Sequence, residues 1–319
     1  MAEPRKGAVA RPAKRRRGLV LAGGGLKVAY AGGVLERLLP ALEHNAPRAS
    51  FAHVQACSSG VFNAAMMAQG KDGPDIGEAW RGLRPLRALS VNWSQVWRLF
   101  RADSLLTWNR FMKNVVRPST DGWGLEFPKG PTHRGCEYVF NAYDFTRHAL
   151  VSFTPATLDE EAFKACIALP RWFPPVHLAL GPDEATDVVV DAVFATDSNA
   201  AALVDPALEL NEIWVIWTVD VQGTWRNGWV SNYFRMLEQA AAAAYRGERD
   251  LIIKAGFTPA SAVPKRVGPP PKILYEIGGD VPAHYLFTFT RGAVRRAVRQ
   301  GFDDTTMYLN TYRHLWATP

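Results

Sequence analysis

With 319 residues, 48% of them hydrophobic, the chain is long enough to bury a sizeable core and reads as globular, in one large domain or two small ones. Three cysteines, Cys57, Cys136 and Cys166, are odd in number and irregularly spaced, which fits neither a disulfide framework nor a zinc site and points to a reducing compartment. The formal net charge of +7 argues against a nucleic-acid face, because Arg5, Lys6, Arg11, Lys14, Arg15, Arg16 and Arg17 stand against the single acid Glu3 before residue 18, leaving the rest close to neutral.

Residues 1–17 therefore read as a disordered basic arm, with a tether to anionic lipid or nucleic acid as the less favoured alternative. Gly18 to Ala22 is too short for the apolar region of a secretory signal, and no later stretch approaches the about 20 apolar residues of a membrane span. The expectation is a soluble, cytoplasmic protein whose membrane contact is peripheral.

Gly18 to Ala22 predicts a short buried strand, Gly23-Gly24-Gly25 a turn, and Lys27 to Leu39 a helix with Tyr30, Val34, Leu35 and Leu38 on one face, stopped by Pro40. Three glycines let backbone approach a ligand and aim N–H groups at one point, which suits a phosphate or a developing oxyanion. The run lacks the last glycine of G-x-G-x-x-G, and Lys27 is followed by Val28 rather than Ser or Thr, so neither a dinucleotide fingerprint nor a Walker loop fits.

Phe51 to Ala56 predicts a second strand that turns at Ala56-Cys57-Ser58-Ser59-Gly60 into a helix through Asn63 to Gln69, with Gly70 as its C-cap. A serine exposed on a tight strand-to-helix turn is a nucleophile elbow. Taken alone, the same five residues are more often only a plain helix N-cap. Two β-α units within 70 residues argue for a parallel sheet covered by helices.

Leu86 to Gly135 is aromatic and basic together, with Trp93, Trp97 and Phe100 at helical spacing and Trp108, Phe111, Trp123 and Phe127 among Arg98, Arg101, Arg110, Lys113 and Arg117. It reads equally as a stripe buried in the core or as an interfacial lid. Strands are predicted at Glu137 to Asn141, Leu150 to Phe153 and Thr186 to Val190, with a capping box at Thr157 to Glu160 opening a helix over Glu161 to Ala168. Asp191 ends the third of these strands, as a site residue or as a turn cap. Glu212 to Val219 predicts a central strand and Val230 to Arg246 a helix, with a separate apolar run at Leu251 to Ile253. Thr258 to Lys272 reads as a surface loop, Tyr285 to Phe289 as an end strand or turn, and Arg291 to Gly301 as a basic helix.

The glycine loop Gly23-Gly24-Gly25-Leu26-Lys27, the serine turn Ala56 to Gly60 with its continuation Val61-Phe62-Asn63-Ala64-Ala65, the segment Ala165 to Val176 and Asp191-Ala192-Val193 occur in an order and spacing that resembles the patatin-like phospholipases. The resemblance covers roughly residues 18 to 205. It implies an α/β, patatin-like three-layer fold with a mainly parallel central sheet, spanning 18–319 with a lid-like insertion at about 86–135. It also implies lipid acyl ester hydrolysis of phospholipase A or lysophospholipase type through a dyad of Ser58 and Asp191, with an oxyanion hole at Gly23, Gly24, Gly25 and Lys27 and an elbow framed by Ala56 and Gly60. Val28, Ala56 and Ala192 replace glycines of the family pattern.

Of seven histidines, His44, His53, His133, His148, His177, His284 and His314, only the last two follow Asp191, and neither sits in a loop typical of a catalytic histidine. No metal and no cofactor is expected. The predicted partners are a lipid or acyl ester substrate and, through the aromatic region and the basic arm, a membrane surface, with no nucleic acid; the rival readings are a serine esterase or thioesterase on non-lipid acyl groups and a catalytically silent lipid binder.

Overall fold

The computed structural model describes residues 15–45, 51–96, 104–117, 122–127, 135–181, 185–196, 198–219, 227–265, 272–279, 281 and 290–317. The predicted strand or turn at Tyr285 to Phe289, with His133, His284, Trp97 and Phe100, lies outside them.

In chain order the elements are β1 (Arg17–Leu21), α1 (Ala29–Asn45), β2 (His53–Cys57), α2 (Gly60–Ala68), α3 (Gly73–Gly82) and the short turns α4 (Pro85–Ala88), α5 (Trp93–Val96) and α6 (Trp108–Phe111). There follow β3 (Glu137–Asp144), β4 (Ala149–Phe153), α7 (Glu160–Cys166), β5 (Val176–Leu178), β6 (Asp187–Asp191), β7 (Glu212–Trp217), α8 (Trp229–Lys254), β8 (Thr258–Pro259), β9 (Ile273–Gly278), α9 (Arg291–Thr311) and α10 (Arg313–Trp316). The strands form one sheet in the order β5-β6-β3-β2-β1-β7-β9-β8, with β4 also on β3. From β3 to β8 all neighbours are parallel; β4 and β6 pair antiparallel with β3, and β5 antiparallel with β6.

Both faces of the sheet are covered, because its central strands are apolar on both sides. Leu19, Leu21, Trp214, Ile216, Tyr275 and Ile277 meet the helices α1, α2, α3 and α9, while Val20, Ile213, Val215 and Leu274 meet α8 through Tyr245 and Ile252. This is the three-layer α/β architecture expected. Across its antiparallel side one rung carries the site: Cys57 pairs with Asn141, and the next residue, Ala142, pairs with Asp191.

Several boundaries differ from expectation. Helix α1 continues through Pro40 to Asn45, because the proline lies on the exposed face and the next turn buries Ala41 and Leu42. Asp159, not Thr157, caps α7 by accepting from Ala162 N–H at 2.8 Å. The run Leu251 to Ile253 is the last turn of α8, and α3, begun by an Asp72 cap and Pro74, was not anticipated.

Residues 1–14 of the expected basic arm lie outside the described residues, and its last residue, Arg17, belongs to the sheet. Arg17 opens β1 and is buried, its Nε 2.6 Å from Glu212 Oε2, while Arg15 Nη1 reaches Glu212 Oε1 at 2.8 Å. Both arginines serve a carboxylate that is itself buried. Removing one partner of a buried pair leaves an uncompensated charge, at about 3–5 kcal/mol. Changing Arg17 to Ala is therefore expected to lower the melting temperature by roughly 5 °C or more, and a thermal melt within about 1 °C of the wild type would show the pair to be dispensable.

Candidate active site

Ser58 follows the last residue of β2 and precedes α2, with φ at +51°. A non-glycine residue held in the left-handed region costs of order 1 kcal/mol or more, and such strain gathers at functional turns. Small neighbours permit the turn: a Cβ on Gly60 would lie 2.1 Å from the Leu21 carbonyl oxygen. Ala56 is fully buried in the strand, and its carbonyl accepts from Asn141 Nδ2 at 3.0 Å.

Asp191 closes β6. Its Oδ2 accepts the Ser58 hydroxyl at 2.6 Å and its Oδ1 accepts Val193 N–H at 2.9 Å. Ala192 is buried in the turn after it, so alanine at 56 and at 192 is compatible with a short serine–aspartate contact. Burial raises the Asp191 pKa to about 7, against the lowering effects of the Ser58 and Val193 hydrogen bonds. Among the described residues no histidine bonds either side chain: His53 is bound to Glu137 and Gln55, His148 and His177 are exposed, and His314 belongs to α10.

The glycine loop leads into α1 through a single 3-10 turn, Gly25–Val28. Gly24 has φ at +141° and Gly25 at +57°, and a Cβ on Gly24 would lie 2.2 Å from Thr218 Oγ1. The leading N–H groups of a helix have no partner within it, and Gly24, Gly25, Ser58 and Asp191 face the same cavity. Lys27 differs from the glycines it was grouped with. Its N–H closes onto Gly24 O at 3.1 Å, and its buried ammonium pairs with Glu238 and donates to Thr218 O at 3.3 Å, so it supports the loop rather than offering a donor.

The cavity above the serine measures about 190 Å³, more than ten times the roughly 10–15 Å³ that one water requires. Its wall is apolar and aromatic, drawn from Phe62, Trp80, Phe111, Trp123, Phe173 and Phe234, with the Trp80 and Trp123 rings 4.7 Å apart and Phe62 5.1 Å from Trp123. Among the described residues the charged ones on it are Lys27 and Glu238, which pair with each other, and Asp191.

The described residues within 86–135 divide residue by residue between the two readings. Trp123 is buried, Trp108 stacks on Phe173 at 4.3 Å and Phe127 lies 4.8 Å from Phe163, whereas Leu86 and Trp93 are 71% and 68% exposed and so face outward. Sequence reasoning missed Asn63, which joins the Val28 carbonyl to the Trp80 indole N–H, and Asn141. It also missed the α8 residues on the cavity wall. Among the described residues no cluster of His, Cys, Asp or Glu could hold a metal ion, and no helix is long and apolar enough to cross a membrane.

A family model described as Patatin-like phospholipase matches residues 19–204. No curated protein matches. Among solved structures the chain is similar to VipD from Legionella pneumophila, at 15% identity and a TM-score of 0.44, over 94% of this chain and 68% of that one.

Proposed function

Because the chain belongs to the patatin-like phospholipases, a family of lipid acyl hydrolases, we propose that it cleaves carboxylic esters of lipids through Ser58 and Asp191, by way of an acyl-enzyme. One observation carries the reading: the Ser58 hydroxyl donates to a buried aspartate at 2.6 Å on the wall of an apolar cavity.

The acyl chain lies along the aromatic wall with its ester carbonyl at Ser58. Oγ attacks the carbonyl carbon as its proton passes to Asp191 Oδ2, and the carbonyl electrons move onto oxygen, which the N–H groups of Gly24 and Gly25 receive. Collapse of the adduct breaks the ester bond, and the proton on Asp191 leaves with the alcohol. Water then repeats the sequence on the acyl-enzyme, with Asp191 as base, and frees the fatty acid. Since the charged groups of the described wall are engaged with each other or with Ser58, we place a headgroup phosphate outside and let the cavity select the acyl chain.

The membrane contact belongs to the outward side chains Leu86, Val91 and Trp93, flanked by exposed Arg84 and Arg87, next to the cavity-lining residues Leu83, Pro85 and Leu89. Aromatic rings at headgroup level with cations nearby suit an anionic bilayer surface. The substrate test compares fatty-acid release from phospholipid and lysophospholipid micelles with turnover of a short soluble ester, alongside labelling by a fluorophosphonate. Label at Ser58 with micellar release is expected. Turnover of the soluble ester alone would favour a non-lipid esterase, and no adduct on folded protein a silent binder. Changing Leu86 and Trp93 together to Ser is expected to lower turnover on anionic vesicles about fivefold or more and to leave the soluble ester within about twofold; an equal fall on both substrates would place these residues in the fold instead.

A further inference from the structure

Helix α8 lies beyond the residues matched by the family model, yet it touches the glycine loop and the segment that follows Asp191. Near its start, Tyr233 donates its hydroxyl to the Pro170 carbonyl at 2.9 Å. One turn on, Glu238 holds the Lys27 ammonium and is held in turn by Arg235 Nη1 at 3.2 Å. Ten residues further, about 15 Å along the helix, Glu248 accepts from Thr196 Oγ1, from Ser198 Oγ at 2.6 Å and from Ala200 N–H at 2.5 Å, all in the segment that follows Asp191. Between these contacts the same helix presents Phe234, Leu237 and Ala241 to the cavity.

The Lys27–Glu238 contact bears most directly on the chemistry. Lys27 closes the turn that starts at Gly24, so wherever its side chain is held, the two glycine amides ahead of it are held too. The Lys27 side chain is 1% exposed and that of Glu238 9%, and a pair so desolvated resists being pulled apart. We infer that Glu238 is a positioning residue: through Lys27 it fixes the glycine loop that receives the oxyanion, and it ties that loop to the helix that walls the acyl cavity. The inference rests on the reading of Ser58 as the nucleophile, and on no contact between Glu238 and the substrate.

Glu238→Gln leaves the ammonium without its carboxylate, and kcat on a short soluble ester is expected to fall at least about 30-fold with KM within threefold, the pattern of an interaction made only in the transition state. That variant also risks instability, so the deciding protein is Lys27→Met with Glu238→Leu, in which an apolar pair of similar volume replaces the buried ions and stability is retained. It is expected to melt within about 2 °C of the wild type while kcat stays at least about 30-fold down. Amide hydrogen exchange at Gly24, Gly25 and Leu26 should be at least about tenfold faster, in a Ser58→Ala background as well. A double variant with kcat within threefold of the wild type, or with unchanged loop exchange, overturns the inference. Because the exchange experiment needs no turnover, a wild-type protein that hydrolyses no ester and takes no label overturns the reading of Ser58 separately.

Discussion

Ser58→Ala and Asp191→Asn are each expected to lower ester turnover by at least about 10³-fold, while replacing His284 and His314 together should cost less than about tenfold. A serine hydroxyl needs a base, and a carboxylate of ordinary pKa near 4 is a weak one at neutral pH. Burial lifts Asp191 to about 7, into the range where a base is ionised often enough to act and still basic enough to take the proton. Turnover of a soluble ester should accordingly rise with pH along one ionisation near 7 and level off above it. A double histidine variant as inactive as Ser58→Ala would replace the dyad with a triad.

Stability should move the opposite way. The folded protein keeps the Asp191 proton between the unfolded value of 3.8 and about 7, so the folded state binds more protons across that window and stability falls as pH rises through it. Above pH 7 the buried carboxylate carries its full desolvation penalty. Asp191→Asn should therefore melt roughly 2 °C or more above the wild type at pH 8, with a smaller gain at pH 5. A melting temperature that falls equally at both values would mean that hydrogen bonding at Asp191 outweighs its burial.

Gly24→Ala is expected to remove at least about 10²-fold in turnover, the scale of one lost oxyanion donor. Its φ of +141° is closed to a side chain, and the new Cβ would meet Thr218 Oγ1 at 2.2 Å. The loop must shift, and its amides with it. Gly25→Val should behave similarly, and the +57° φ there adds strain that lowers the melting temperature by a few degrees. The rate of fluorophosphonate labelling at Ser58 is the direct measure; labelling at the wild-type rate in Gly24→Ala would mean that the glycines shape the turn without stabilising the oxyanion.

What the sequence revealed and what it hid follow one physical line. Ser58 and Asp191, brought together at 2.6 Å, each stand at the end of an apolar strand, where either could be a plain cap, and they became legible as a pair through the order and spacing that resemble the patatin-like phospholipases. The longer helices were legible in outline from their periods and the parallel sheet from two successive β-α units, whereas α3 was not. The partners that support them were not: Arg17 and Glu212 are 195 residues apart, Lys27 and Glu238 are 211, and no local spacing marks a charge as destined for burial. Arg17 looked like one more residue of a basic run, and Glu238 stood unmarked within the helix predicted over Val230 to Arg246. Pro40 misled for the converse reason, since the burial of Ala41 and Leu42 in the next turn outweighs the hydrogen bond a proline removes.

The rung that carries the site also sets where the chain can vary in descent. Ser58 and Asp191 lie 133 residues apart, but their spacing comes from β2, β3 and β6 side by side, with Cys57 against Asn141 and Ala142 against Asp191. The length of chain between Ser58 and Asp191 does not set that spacing, although the connection from α7 to β6 gives Trp172 and Phe173 to the cavity wall and its Ala168 carbonyl accepts from Asp191 N–H at 3.1 Å. A single residue lost within β6, with the start of the strand held in register, reverses the side chains beyond the gap and turns Asp191 to the far face of the sheet. Lineages that carry this chain are thus held more tightly to the length of one five-residue strand than to the length of chain between the reacting pair.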